Sequence, residues 1–162
     1  MAITIRRTRN ADSRTADEKL NKETLKEDTV EHIRNVEDGM SFLAEELEIR
    51  GCDHDYTKLQ YFDEFAENVL KGHTNEEFIN ANWYQTHIFE ERHHLNANCP
   101  LDVNLIDVLE MIVDCVMAGK GRSGHVTPQY LKLQDPAILE RAYWNTVRMM
   151  DRAVIIEDSE KE

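Results

Sequence analysis

The apolar residues of this chain recur mainly at helical spacing. Between about residues 26 and 50 they fall three or four positions apart, at Val30, Ile33, Val36, Met40, Leu43 and Leu47. This spacing places them along one face of a helix, and Gly51 supplies a stop signal after it. A second apolar face follows, formed by Phe62, Phe65, Ala66, Val69 and Leu70.

Three more helices are predicted further along the chain. The first covers residues 75–94, and the second covers 102–118, the most apolar stretch, which predicts a buried central helix. A glycine-containing loop is expected from 119 to 128, and Asp135-Pro136 then opens a last helix that runs to about residue 154. No segment alternates as the strands of a hairpin do. The pattern therefore predicts an all-α chain, a single-domain bundle of about five to seven helices around the central one.

The two ends of the chain are polar. Residues 1–25 are rich in Arg, Asn, Asp and Thr and hold few apolar positions, so we expect a mobile N-terminal arm or a peripheral first turn. Residues 156–162 are expected to form an acidic, solvated tail. The helical domain would then occupy residues 26–155.

Composition and charge restrict the classes of function. A chain of 162 residues with 41% hydrophobic residues has the size of one domain. No apolar run approaches the roughly 20 residues that span a bilayer, and no signal peptide is recognised, so we expect a cytoplasmic protein without a membrane partner. The net charge of −13 weighs against general nucleic-acid binding, which requires a basic surface. The three cysteines form no CxxC pair, which argues against a disulfide scaffold or a structural zinc site.

Histidines and carboxylates occur together in a pattern that suits a metal ion. His54 and Asp55 are adjacent and offer the mixed nitrogen and oxygen ligands that first-row metals accept. His32 shares a helical face with apolar residues and is predicted to point inward. Asp114 interrupts the most apolar stretch, where an unpaired carboxylate would be costly. The alternative for Asp114 is a place on the polar face of a half-exposed helix.

The order His32, His54-Asp55 and Asp114 resembles the signature of the HD superfamily of metal-dependent phosphohydrolases. The segment His54-Asp55-Tyr56-Thr57-Lys58 is similar to the HD-x-x-K variant of that motif. The wider pattern, over about residues 30–118, also resembles a small HD-like family of phage and bacterial genomes. The resemblance implies an HD-like helical bundle. The chain lacks the Glu-Asp that follows His-Asp in the hydrolases of guanosine tetraphosphate, so that activity is not expected.

The resemblance also implies a set of metal ligands. His32, His54, Asp55 and Asp114 would hold one divalent ion. Histidines between the His-Asp pair and the last aspartate resemble the HD subgroup that binds two metals. The second set would be His87 with His94, which a seven-residue offset places on one helical face, or with His93 if the helix ends near residue 92. The alternative is a solvent-facing cluster of histidines. The ion would be Mn, Fe, Ni, Co or Zn, with Mg also an option.

The implied chemistry is attack of a metal-activated water on a phosphoryl group. Asp55, as a ligand, and Lys58, which would neutralise a phosphate oxygen, are the predicted catalytic residues. Lys120 and Arg122 are candidate contacts to substrate phosphate, and His125 is a weaker candidate in the same loop. The alternative for all three is a solvated loop.

Two further groups, Glu110 and Tyr56, are predicted to orient the ligands. The expected partner is a small phosphorylated substrate, in the first instance a nucleotide. Two other functions stay open: an HD-type di-iron oxygenase, and a non-catalytic regulatory or binding protein that keeps the metal site. The sequence also leaves a homodimer open.

Overall fold

The computed structural model of the protein describes residues 2–72, 75–95, 99–126 and 135–157. Helices dominate these residues, which confirms the predicted all-α class. The helices are α1 (Lys22–Asp53), α2 (Tyr56–Gln60), α3 (Phe62–Leu70), α4 (Asn75–Asn80), α5 (Asn82–Glu90), α6 (Leu105–Ser123) and α7 (Pro136–Ala153). Two short strands, β1 (Ile3–Ile5) and β2 (Val154–Ile156), and a 3-10 turn at Arg9–Ala11 are the other elements.

The chain forms two compact units. The terminal unit comprises Met1–Glu46 and Val147–Glu162, and the central unit comprises Leu47–Thr146. Helices α1 and α7 each contribute residues to both units.

In the terminal unit, the two ends of the chain pair with each other. β1 lies parallel to β2, with Ile3 opposite Val154, and the backbone N–H of Glu157 donates to the carbonyl of Ile5 at 2.8 Å. Within the segment 1–25 that is predicted as an arm, Ile3–Ile5 are therefore paired with Val154–Ile156. Three-residue strands carry too short a pattern to be recognised, and the strand that satisfies β1 lies some 150 positions away. The predicted tail beyond Glu157 lies outside the described residues.

The core of the central unit forms where α6, the start of α7 and the segment before α6 meet. Its buried members are Leu95, Val103, Val108 and Ala142, with Ile138 and Leu139 among those packed against them. The Thr146 hydroxyl accepts a hydrogen bond from the backbone N–H of Leu105 at 2.9 Å. This contact ties the first turn of α6 to α7.

Helix α6 is only half buried. Ile106, Asp107, Val108 and Glu110 face the interior, whereas Leu109, Val113 and Met117 are 45%, 58% and 65% exposed. The helix that is predicted to be central and buried is therefore buried along one face. An apolar sequence does not by itself show which faces are covered.

Several helix boundaries differ from the predicted ones. α1 continues through Gly51, because a glycine inside a helix costs only about 1 kcal/mol. The predicted helix over 75–94 is interrupted at Ala81, whose backbone is extended, and α5 ends at Glu90. α6 runs into the predicted loop as far as Ser123 and stops at Gly124, whose positive φ of 75° ends helices readily. The predicted loop beyond residue 126 lies outside the described residues.

Among the described helices, none combines the length and the apolar character needed to cross a membrane.

A capping box starts α6, and its contribution can be measured. The Asn104 side chain accepts hydrogen bonds from the backbone N–H groups of Ile106 and Asp107, at 2.8 and 3.2 Å, and Asp107 Oδ2 accepts from the Asn104 N–H at 2.9 Å. We expect Asn104→Ala to lower the free energy of unfolding by about 1 kcal/mol in urea denaturation. Asn82→Ala, at an exposed position, is the control and should change it by less than about 0.5 kcal/mol. Equal effects of the two changes would contradict the role of the cap.

Candidate functional site

The candidate ligands come from α5, which holds His87, and from three further segments of the central unit. The first is the turn between α1 and α2, which holds His54 and Asp55. Asp55 adopts a left-handed backbone with φ of 59°, a conformation that aspartate tolerates better than most residues. The second is the turn after α5, which holds His93 and His94. The third is the inner face of α6, which holds Glu110 and Asp114.

Asp55 lies at the centre of this cluster. Its Oδ1 lies 3.6 Å from His87 Nε2 and 3.7 Å from His93 Nε2, and its Oδ2 lies 3.6 Å from His54 Nε2. Oδ1 is buried and has no hydrogen-bond partner. Buried carboxylate oxygens are normally satisfied, so this oxygen faces a place where a cation or a donor would be favourable.

Glu110 lies behind two of the imidazoles. Its Oε1 is 3.0 Å from Nδ1 of His54 and 3.0 Å from Nδ1 of His93, and its side chain is almost fully buried. The contact with His54 is a hydrogen bond, and a carboxylate there favours the tautomer that carries the proton on Nδ1, which leaves His54 Nε2 as the free lone pair. Glu110, which is predicted to orient the ligands, therefore lies against two of them.

Thr57 and Glu91 determine the tautomer of His87. The Thr57 hydroxyl lies 2.6 Å from Glu91 Oε1 and 2.8 Å from His87 Nδ1. Because an ionised carboxylate only accepts, the single hydroxyl proton goes to Glu91, and the hydroxyl oxygen accepts Nδ1–H of His87. The backbone N–H of Thr57 also donates to Glu91 Oε1, at 3.0 Å. All three residues are buried, and His87 Nε2 is left as a lone pair.

Thr57 and Glu91 were not predicted from the sequence. Glu91 stands in a polar run that looks solvated, and Thr57 is an unremarkable residue within the His-Asp motif segment. Their positions, two residues after Asp55 and two before His93, were the only signal. A partnership over 34 positions cannot be inferred from that spacing.

His87 and His94 face each other through their Nε2 atoms at 2.8 Å. Desolvation, with His94 and Lys58 nearby, lowers the pKa of His87 to about 3. Desolvation and the neighbouring His93 lower the pKa of His94 to about 4. Both imidazoles are therefore neutral at pH 7. The predicted pairing stands, but not for the predicted reason, because α5 ends at Glu90 and a turn, not a helical face, brings the rings together.

Lys58 and Asp114 lie on the side of His54. The Lys58 ammonium forms an ion pair with Asp55 Oδ2, and Asp114 Oδ1 is 3.6 Å from His54 Nε2. Burial raises the pKa of the Asp55 carboxyl, but Lys58 and His54 outweigh burial and leave this pKa lowered. Asp55 is therefore ionised and available as a ligand.

Arg92 fixes the segment between Glu91 and His93. Its guanidinium donates to both carboxylate oxygens of Asp107 on α6, at 2.9 and 2.8 Å. The hydrogen bond to Asp107 raises the pKa of Arg92. A two-point contact of this kind holds the backbone at Arg92 against α6. It therefore also fixes the positions of Glu91 and His93, the residues on either side of Arg92.

The other predicted residues have different surroundings. His32 is an exposed residue of the terminal unit, and the groups of ligand atoms that the structure brings together in the described residues do not include it. Lys120, Arg122 and His125 are exposed at the end of α6, where His125 Nδ1 lies 2.8 Å from the carbonyl of Ser123. The Tyr56 hydroxyl donates to the exposed Glu90 and not to a candidate ligand.

The donor set fits a divalent transition metal. In two overlapping groups, His87 with His93 and His94, and His54 with Asp55 and His93, the ligand atoms lie within 4.8 Å of one another. Atoms that share one ion at about 2 Å lie roughly 3 to 4 Å apart, as several of these pairs do. Neutral imidazoles and carboxylates suit Mn, Fe, Co, Ni and Zn. His93, predicted from the sequence only as an alternative ligand, belongs to both groups.

The Thr57 hydroxyl provides a test of the hydrogen bonds behind His87. Thr57→Val keeps the side-chain shape and removes the hydroxyl, so Glu91 and His87 Nδ1 each lose a buried partner. We expect the free energy of unfolding to fall by about 1–3 kcal/mol. Thr57→Ser keeps the hydroxyl and should retain most of that stability. If the two variants unfold alike in urea, the hydroxyl makes no contribution and the assignment of the His87 tautomer loses its support.

Comparison with known proteins places the chain in one family. No match was found among curated proteins or among solved structures. One family model matches residues 21–155, and its description is "Family of unknown function (DUF5662)". The matched range includes every residue of the cluster around Asp55. Because the match covers most of the chain, the protein belongs to the DUF5662 family.

Proposed function

We propose that the central unit binds one or two divalent transition-metal ions and hydrolyses a phosphate ester. One observation carries the proposal: the Nε2 atoms of His87 and His93 lie beside the unpartnered oxygen of Asp55, and Nε2 of His54 lies beside its other oxygen. The Nδ1 atoms of His54 and His87 have hydrogen-bond partners behind them, Glu110 and Thr57. Imidazoles whose Nδ1 atoms are hydrogen-bonded, and whose Nε2 atoms face a half-buried carboxylate, are arranged as metal ligands are.

The proposed ligands fall on two sides of Asp55. His54, His93 and Asp114 would serve one side, and His87 and His94 the other. This set differs from the HD-type set that the sequence predicted, because His32 is not included and His93 is. The His-Asp pair and the later aspartate of that resemblance keep their proposed roles.

The hydrolytic part of the proposal rests on the chemistry of the same groups. When bound, a divalent metal supplies a Lewis acid and lowers the pKa of a coordinated water. The water oxygen would bond to phosphorus, the bond from phosphorus to the ester oxygen would break, and a proton from the water would pass to the departing alcohol. Lys58 would place its ammonium beside a phosphate oxygen as negative charge builds up there. Its ion pair with Asp55 holds it at the cluster.

Metal content tests the first part of this proposal. We expect the purified chain to hold one or two equivalents of a first-row metal in elemental analysis. Asp55→Ala and His93→Ala should each weaken binding at least about 100-fold in competition with a chelator, since loss of an orienting group alone costs about 10–100-fold. His32→Ala removes an exposed imidazole and is the matched control, with unchanged affinity. Equal losses in all three variants, or no metal in the wild type, would overturn the metal site.

Hydrolysis of p-nitrophenyl phosphate and bis(p-nitrophenyl) phosphate tests the second part. With Mn, Co, Ni or Mg added, Asp55→Ala should abolish turnover. Lys58→Gln should lower kcat by roughly 100-fold or more while metal stoichiometry stays constant. Lys71→Gln is the control, because Lys71 is an exposed lysine paired with Glu67. Two bound irons with no hydrolysis of any phosphate ester would refute this reaction and favour oxygen chemistry at the same ligands.

A further inference from the structure

A groove of about 250 Å³ opens on the central unit beside His54 and Asp114. It lies between the last turns of α1 and one face of α6. Ligand sites typically measure about 300–1,000 Å³, so this groove has the size for one small organic group. Its end is formed by residues of the cluster around Asp55, so a molecule in the groove would reach that cluster.

The walls of the groove are apolar. Leu47 from α1 and Leu109, Val113 and Met117 from α6 line it, and the three from α6 are four residues apart and share one helical face. All four are more than a third exposed. Such a surface gains free energy when an apolar group covers it.

The groove offers no free positive charge to a polyanion. Arg50 is the cation among its lining residues, and its guanidinium lies 3.6 Å from Glu110 and 3.5 Å from Asp107. Asp114 adds a further carboxylate at the rim. A chain of several phosphates would therefore meet apolar and acidic groups here, and only the end at the metal ligands would favour an anion.

We propose that this groove binds the apolar substituent of the substrate, which is then a small phosphate ester of an aromatic or branched aliphatic alcohol. The inference rests on the proposed function, because the phosphoryl group would lie at His54 and Asp114 while the carbon part lies along α6. Hydrolysis would release that alcohol and phosphate. A nucleoside triphosphate is disfavoured, since its charge would have to lie against the same surface.

Substitutions at Gly51 can test the role of the groove. This glycine lines the groove, and a Cβ added to it would meet no atom within 4 Å. Gly51→Phe therefore has room for its Cβ and is designed to place an aromatic ring in the groove. Gly51→Ala is the matched control, which leaves the groove open and favours the helix at this position. Val113→Phe fills the same space from α6 and guards against a defect peculiar to position 51.

The decisive measurement compares two monoesters of equal charge, phenyl phosphate and methyl phosphate, by titration calorimetry on the metal-loaded protein. We expect phenyl phosphate to bind at least about tenfold more tightly, as burial of roughly 60 Å² of apolar surface implies. Gly51→Ala should keep this preference. Gly51→Phe and Val113→Phe should reduce it to less than about threefold, with metal affinity unchanged in both.

A second measurement separates the groove from the metal site. Benzyl alcohol, added to metal-free protein labelled at the methionine methyl groups, should shift the Met117 signal in the wild type and in Gly51→Ala but not in Gly51→Phe. If the protein binds no metal but this shift appears, the proposed function fails and the groove stands. If metal binds but phenyl phosphate has no advantage, or if no shift appears, the groove proposal is overturned. It is overturned also if sedimentation shows a dimer that Gly51→Phe dissociates, because the face would then bind a second copy.

Discussion

The burial of Asp55 among imidazoles is the constraint on which the central unit depends. An ionised carboxylate removed from water is costly unless a cation or several donors face it. One of its oxygens has Lys58 as a partner, and the other has none. Natural proteins keep such a group where it serves a function. The cluster therefore has a free-energy cost in the metal-free chain that a bound cation would offset, and we expect metal binding and folding stability to be linked.

A second layer of hydrogen bonds makes this arrangement rigid. Glu110 lies behind His54 and His93, and the Thr57 hydroxyl, held by Glu91, lies behind His87. These contacts connect the end of α1, the start of α2, the turn after α5 and the inner face of α6. Arg92 and Asp107 add a charged link between the last two. The same contacts that fix the tautomers therefore hold the four segments together, so their stability effects and their ligand effects are coupled.

The cluster around Asp55 borders the groove on one side. Thr57 and Glu91 are buried behind His87, whereas His54 and Asp114 border the groove along α6. A substrate would approach from the apolar side and present its charged end to the metal ligands. Under the proposed function, the exposed face of α6 would leave an entrance to the cluster, which a helix covered on all sides would close.

The sequence by itself determined the helical class and the main ligand types. Helical spacing gave α1, α6 and α7, and the adjacency of His54 and Asp55 marked the centre of the site because neighbouring residues must lie close together. What lay far apart in sequence was decided by tertiary structure. His32 has helical spacing like a core residue but is exposed, since a pattern shows a face and not what covers it. Glu91 and Thr57, 34 positions apart, acquire their roles only because a turn after α5 brings them together. The pairing of β1 with β2, which lie near opposite ends of the chain, could not be predicted for the same reason. A long-range contact leaves no local periodicity in the sequence.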